Sequence, residues 1–257
     1  MASRDSSEIL TDPPPPAADE RVVYGSEPLQ FGDLRLPAGE GPFPLAVVLH
    51  GGYWKATYNL IHMGHMCIAL TGAGVASWNV EYRRVGDVGG GWPGTADDVA
   101  RATAFVEELA EHSPLDLSRV AIVGHSAGGH LGLWAAKRAG LPVAAIAPVS
   151  DLADSARQAG PDGPAARFLG GLPDEVPERY AAASPRELLP LGTRQVVVHG
   201  TADETVPFEM SEAYVAAARA EAELVTLVGA GHFEPVDPQA HEWPATLAAV
   251  RGLLGLS

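Results

Sequence analysis

Residues Gly124-His125-Ser126-Ala127-Gly128 follow the apolar run Val120-Ala121-Ile122-Val123 and precede Gly129-His130-Leu131-Gly132-Leu133-Trp134-Ala135-Ala136-Lys137, which reads as a helix. A strand, a G-x-S-x-G turn and a helix make a nucleophile elbow. The turn needs small residues on both sides of the serine, so that strand and helix can approach closely and Ser126 is pushed out to solvent. The N-terminus of the new helix adds unpaired N–H groups beside the serine, suited to a developing negative charge. The feature restricts the chain to folds in which a strand feeds directly into a helix.

Three further segments fit the same chemistry. His50-Gly51-Gly52-Tyr53-Trp54 follows Leu45-Ala46-Val47-Val48-Leu49, a short apolar run bounded by Pro44 and the glycines. That run reads as a buried strand. The paired glycines let backbone N–H groups turn toward a ligand. Such donors contribute about 3–4 kcal/mol each to oxyanion stabilisation. The N–H of Ala127, next after the serine, is the companion donor.

His199-Gly200-Thr201-Ala202-Asp203-Glu204 follows Gln195-Val196-Val197-Val198. A carboxylate just past a strand end is where a parallel sheet presents functional groups. Asp203 is read as the acid that orients a catalytic histidine, and spacing leaves Glu204 open as a competitor. Gly229-Ala230-Gly231-His232 follows a final apolar strand, and His232 is read as the general base. The chain order is Ser126, Asp203, His232.

Over most of residues 20–255 these four segments resemble the α/β-hydrolase superfamily. His50 to Trp54 resembles the H-G-G-x-W motif of kynurenine formamidases (arylformamidases) and allied small esterases. It differs from the H-G-G-G of hormone-sensitive-lipase-type esterases by carrying Tyr53 at the third glycine. His199 to Pro207, and Pro177-Glu178-Arg179-Tyr180 with Ser184-Pro185, also resemble the catalytic domain of prolyl-oligopeptidase-type peptidases. The resemblance implies oxyanion donors at the N–H groups of Gly52, Tyr53 and Ala127.

The 257 residues suit one α/β domain, with a mostly parallel central sheet covered by helices on both faces. Strands are expected near 45–49, 75–81, 119–123, 143–149, 195–199 and 223–228. Helices are expected near 57–72, 96–112, 127–139, 209–220 and 238–254. Residues 21–36 read as an antiparallel strand pair turning at Gly32-Asp33. Thr95-Ala96-Asp97-Asp98 reads as a capping-box-like helix start. Residues 1–19, with Pro13 to Pro16, read as a disordered tail ahead of a catalytic domain over 20–257. Residues 151–190 break the rhythm and are expected to form a lid-like excursion near the site.

Formal net charge is −15, from 17 Lys and Arg against 32 Asp and Glu. That balance argues against nucleic acid and anionic membranes as partners. It also disfavours strongly anionic substrates, although local fields can differ from net charge. Cys67 stands alone in an apolar stretch and is expected to be a buried thiol. The N-terminus lacks the apolar core of a signal peptide and no run approaches a membrane span, so a cytoplasmic location is the default expectation. Val85 to Gly94 is glycine-rich without a phosphate-loop pattern and is read as a loop beside the pocket. His62 and His65 lack companion ligands at metal-site spacing.

The expected reaction is hydrolysis of a small carboxylic ester through an acyl-enzyme, needing no cofactor and no metal. A formamidase acting on an aryl formamide is the alternative. A peptidase and a non-catalytic hydrolase-fold binding protein stand behind it. Trp54, Trp92 and His125 are candidates for contact with a small-molecule ester or amide. Oligomeric state is left open, a homodimer included.

Overall fold

The computed structural model describes residues 10–256. Eight strands form one sheet: β1 Glu20–Val23, β2 Phe31–Arg35, β3 Phe43–Leu49, β4 Ala76–Val80, β5 Leu115–His125, β6 Val143–Ile146, β7 Gln195–Gly200 and β8 Ala222–Leu227. Their order across the sheet is β1-β2-β4-β3-β5-β6-β7-β8. β2 pairs antiparallel with both β1 and β4, and every other neighbouring pair is parallel.

The apolar runs follow from that placement. A parallel strand with both faces covered must be apolar at every position. In β3, Leu45, Val47 and Leu49 enter one core while Ala46 and Val48 enter the other. β7 divides in the same way, with Val197 on one face and Val196 and Val198 on the other. Helices α1 Gly64–Gly72 and α8 Trp243–Leu253 cover the second core, through Met66, Cys67, Leu70, Trp243 and Val250. Helices α2 Gly94–His112, α3 Ala127–Ala139 and α7 Phe208–Ala218 cover the first. Cys67 is fully buried, and burial pushes its thiol up to about 12, so it stays protonated.

Several local expectations are corrected. Gly32 and Asp33 lie within β2 rather than at its turn, which spans residues 24–30. A Cβ at Gly32 would come within 2.2 Å of the Trp78 indole nitrogen, so this glycine makes room for a ring and bends nothing. Thr95 caps no helix end. Its hydroxyl donates to Arg83 O and accepts from Gly91 N–H, while Asp98 is taken up by Arg83 and Gln30. The single helix expected over 57–72 divides into a 3-10 turn, Leu60–Met63, and α1. β6 stops at Ile146 because Ala147 turns the chain at φ 44°.

The tail expected over residues 1–19 is corrected for residues 10–19, and residues 1–9 lie outside the described residues. Leu10 is buried, His65 Nε2 donates to Pro13 O at 2.7 Å, and the Arg35 guanidinium binds the carbonyls of Pro16 and Ala17. Residues 10–19 are therefore fastened to the body of the protein. Among the described residues no helix is long and apolar enough to cross a membrane.

The excursion over 151–190 holds three short helices, α4 Leu152–Ala159, α5 Pro164–Leu169 and α6 Pro177–Ala183. It leaves the sheet after β6 and returns at β7, above the C-terminal ends of the strands.

Candidate active site

Ser126 sits between β5 and α3 at φ 57°, ψ −118°, a strained conformation for a residue with a side chain. Two backbone bonds hold it there: Ser126 N–H donates to Ile146 O at 2.8 Å, and Ser126 O accepts from His130 N–H at 3.0 Å. The turn closes because α3 runs tight against β3. A Cβ on Gly128 would lie 2.2 Å from Leu49 O and 2.4 Å from His50 O. No other residue fits that contact.

The loop after β3 is strained as well. Tyr53 and Trp54 both take φ 56°. They are clamped by Lys55 N–H on Gly52 O at 2.9 Å, Val85 N–H on Trp54 O at 2.7 Å and Ala56 N–H on Val85 O at 3.0 Å. A buried polar group anchors the loop's start. His50 Nε2 meets Glu81 Oε1 at 2.9 Å, its ring stacks on Tyr82 at 4.3 Å, and the Tyr82 hydroxyl donates to His50 O at 2.5 Å. Glu81 also meets Arg84 at 3.3 Å and accepts from Leu60 N–H. Burial opposes the charge on Glu81, yet His50, Arg84 and the Tyr82 N–H outweigh it and hold the carboxyl below its ordinary value.

Asp203 and His232 are brought together by loops after β7 and β8. Ala202 N–H donates to Ala230 O at 2.9 Å and Thr201 N–H to Leu227 O at 3.0 Å, which fastens one loop to the other. His232 Nδ1 then donates to Asp203 Oδ2 at 2.6 Å. The same oxygen accepts from His199 Nε2 at 3.1 Å. The other, Oδ1, accepts from the N–H groups of Thr205 and Val206, both at 2.8 Å. Burial opposes ionisation of Asp203, but the hydrogen bonds from His199 and His232, the His232 ring and the Val206 N–H hold the carboxyl well below the usual range. Glu204 is exposed and takes no part.

No hydrogen bond joins the His232 ring to the Ser126 hydroxyl among the described residues. Serine–histidine bonds of this type are often long until substrate binds.

A cavity of about 270 Å³ opens at Ser126. Its walls include Tyr53, Trp54, Ala127, Val149, Val206 and Met210, and α4 and α5 add Ser155, Gln158, Ala159 and Pro164. No charged side chain lines it. Of the three oxyanion candidates, Tyr53 and Ala127 share this cavity with Ser126, and Gly52 is not among its lining residues.

The candidates for substrate contact divide between the cavity and other parts of the fold. Trp54 lines the cavity but is 2% exposed: it stacks on Phe168 at 4.8 Å and donates from Nε1 to His130 Nδ1 at 3.2 Å. Trp92 packs edge-on against Trp134 and Phe168, outside the cavity wall. His125 is buried and turned the other way, its Nε2 donating to His232 O at 2.9 Å. Burial and the neighbouring His232 keep the His125 ring neutral, well below its ordinary value. It fixes the backbone of His232 and is not among the residues lining the cavity. His130 is also buried, which lowers its value to about 4, and it bridges Trp54 to Ala183 O.

Three contributors carry weak signals in the sequence. His199 ends an apolar strand run, Glu81 is an acid at a strand exit, and Phe168 is the one phenylalanine in the excursion. Only contacts far along the chain give them their positions.

A sequence profile of the BD-FAE family matches residues 33–142. Esterase LipC of Mycobacterium tuberculosis is 27% identical over an alignment covering 86% of this chain and 62% of LipC, so the chain spans less than two thirds of that relative. Among solved structures, a truncated carbohydrate esterase from gut microbiota superposes with a TM-score of 0.80 at 21% identity, covering 94% of this chain and 99% of that one. The propionate-bound Est2 esterase of the planctomycete Thermogutta terrifontis gives a TM-score of 0.75 at 21% identity, covering 93% and 94%.

Proposed function

We propose that this chain, whose fold is that of the α/β-hydrolases, is a serine esterase that cleaves a small carboxylic ester through an acyl-enzyme. Ser126 attacks the ester carbonyl. His232 takes the serine proton on Nε2, with Nδ1–H held by Asp203, and returns it to the departing alcohol. The N–H groups of Tyr53 and Ala127, with that of Gly52 in support, receive the oxyanion. Water then releases the acid, with His232 again as base.

The observation that carries this reading is the uncharged cavity that opens on Ser126, Ala127 and Tyr53 together. It offers an acyl chain apolar walls and offers a carbonyl two backbone donors at its edge. Similarity to proteins described as esterases points the same way. A formamide reading finds support in His50 to Trp54, but a formyl group is a single carbon and would leave most of the 270 Å³ unused.

The test compares kcat/KM for p-nitrophenyl acetate, p-nitrophenyl butyrate and N-formylkynurenine, with Ser126→Ala as the blank. Ester turnover that falls by several orders of magnitude in Ser126→Ala and in His232→Ala, and hardly further in the double variant, is expected. A marked preference for the formyl amide would replace the ester reading with the formamidase one. Failure of a fluorophosphonate to label Ser126 would remove both.

A further inference from the structure

A second hollow adjoins the cavity and shares two of its walls, Tyr53 and Pro164. Its remaining lining is Lys55, Ala56, Thr57, Val85, Gly86 and Arg167. In a chain of net charge −15, this hollow carries two cations and no acid in its lining. Lys55 is exposed, lies 5.4 Å from the Tyr53 ring centroid and makes no ion pair among the described residues. Arg167 gives one guanidinium nitrogen to Asp162 at 2.9 Å, across a pair that is largely exposed, and keeps its other donors.

The placement of Lys55 is built into the site. The backbone bonds that clamp Tyr53 and Trp54 also bridge Lys55 to Val85, so the loop that presents the Tyr53 N–H presents the ammonium one step away. Arg167 comes from α5, whose Pro164 borders both hollows. The side chain of Tyr53 thus stands between a neutral compartment that contains Ser126 and a cationic one that does not.

We infer that the cationic hollow is a subsite for the alcohol half of the substrate, and that this half carries an anionic oxygen group such as a carboxylate. The inference rests on the esterase reading above. The acyl group stays on Ser126 until water releases it, so it belongs in the cavity floored by buried Ala127, Val206 and Met210. The alcohol must leave first, which suits the hollow rimmed by exposed Lys55, Thr57 and Arg167. A charge-assisted contact there steers and orients an acidic leaving group against the repulsion of the protein as a whole.

The experiment measures kcat/KM for the acetate esters of para-hydroxybenzoate and para-hydroxybenzamide at low salt. The wild type, the Lys55→Met/Arg167→Met double variant and Asp162→Asn are compared. The anionic-to-neutral ratio is expected to fall about fivefold in the double variant, the span of a good exposed ion pair. It is expected to rise in Asp162→Asn, which frees Arg167, and to shrink as salt is added. An unchanged ratio in the double variant overturns the subsite and leaves the esterase standing. Turnover of neither ester, with Ser126 unlabelled by a fluorophosphonate, overturns both.

Discussion

Asp203 accepts four hydrogen bonds on two oxygens, and two of its donors are histidines sharing one oxygen. His199 is fully buried, and its Nε2 also reaches Val206 O at 3.1 Å while Nδ1 faces the Ser211 hydroxyl at 2.7 Å. This fixes the carboxylate that His232 leans on. His199→Asn is expected to lower kcat about tenfold, a loss of roughly 1.4 kcal/mol, with KM little changed. Steady-state kinetics checks the split, and an equal fall in binding would point to a collapsed pocket instead. Asp203→Asn should be severe and Glu204→Gln close to neutral, since Glu204 is exposed while the Asp203 carboxylate is buried. The reverse ranking would move the acid. The choice between these neighbours was not legible in the chain, because one residue of spacing cannot say which side chain turns inward. The Thr205 and Val206 N–H groups that decide it act only once the turn has formed.

At the scale of elements, the segments with one strong local signal are the ones the sequence reveals. The helix over 127–139 falls where its composition places it, and the core strands follow from uninterrupted apolar runs. The losses come where a residue type serves a distant partner. Gly32 reads as a turn but makes room for Trp78, and Thr95 reads as a cap but bonds Arg83. Trp92 and His125 read as pocket residues because of their neighbours along the chain, yet each faces another element. Phe168 shows the same dependence on distance. It is buried on α5 and touches Trp54, Trp92 and His130, which belong to three other segments. Phe168→Ala is expected to cost about 3–5 kcal/mol. Calorimetry would register that as a lower Tm, and KM for a butyrate ester should rise as Trp54 loses its stacking partner. A normal Tm would mean that α5 is not seated on the loop that holds Trp54.

For the whole molecule, acid sensitivity follows from Asp203 and Glu81. Both carboxyls are held below their ordinary values by buried partners. Their contribution is therefore complete above the usual carboxylate range, about pH 4, and is lost as pH falls below it. Tm should begin to fall below about pH 6.5, where the unfolded chain can protonate His125 and His130, which burial keeps neutral, and drop more steeply below about pH 4 as the two carboxylates are lost. The Asp203→Asn variant should start lower and decline less, and an identical decline would assign the effect to other acids. The order of strands across the sheet was not legible, since β3 lies between β4 and β5 only through crossovers that no local pattern records. One tie across the molecule changes how the excursion over 151–190 works. His130 and Trp134, both on the helix that begins beside Ser126, donate to the carbonyls of Ala183 and Ala182. The segment is thereby moored at its end to the helix that begins beside Ser126. Its inner face, where Ser155, Gln158 and Ala159 stand, can be rewritten without slackening the mooring. On the esterase reading proposed above, descendants of one such scaffold can diverge in the acids they release while the residues that release them stay still.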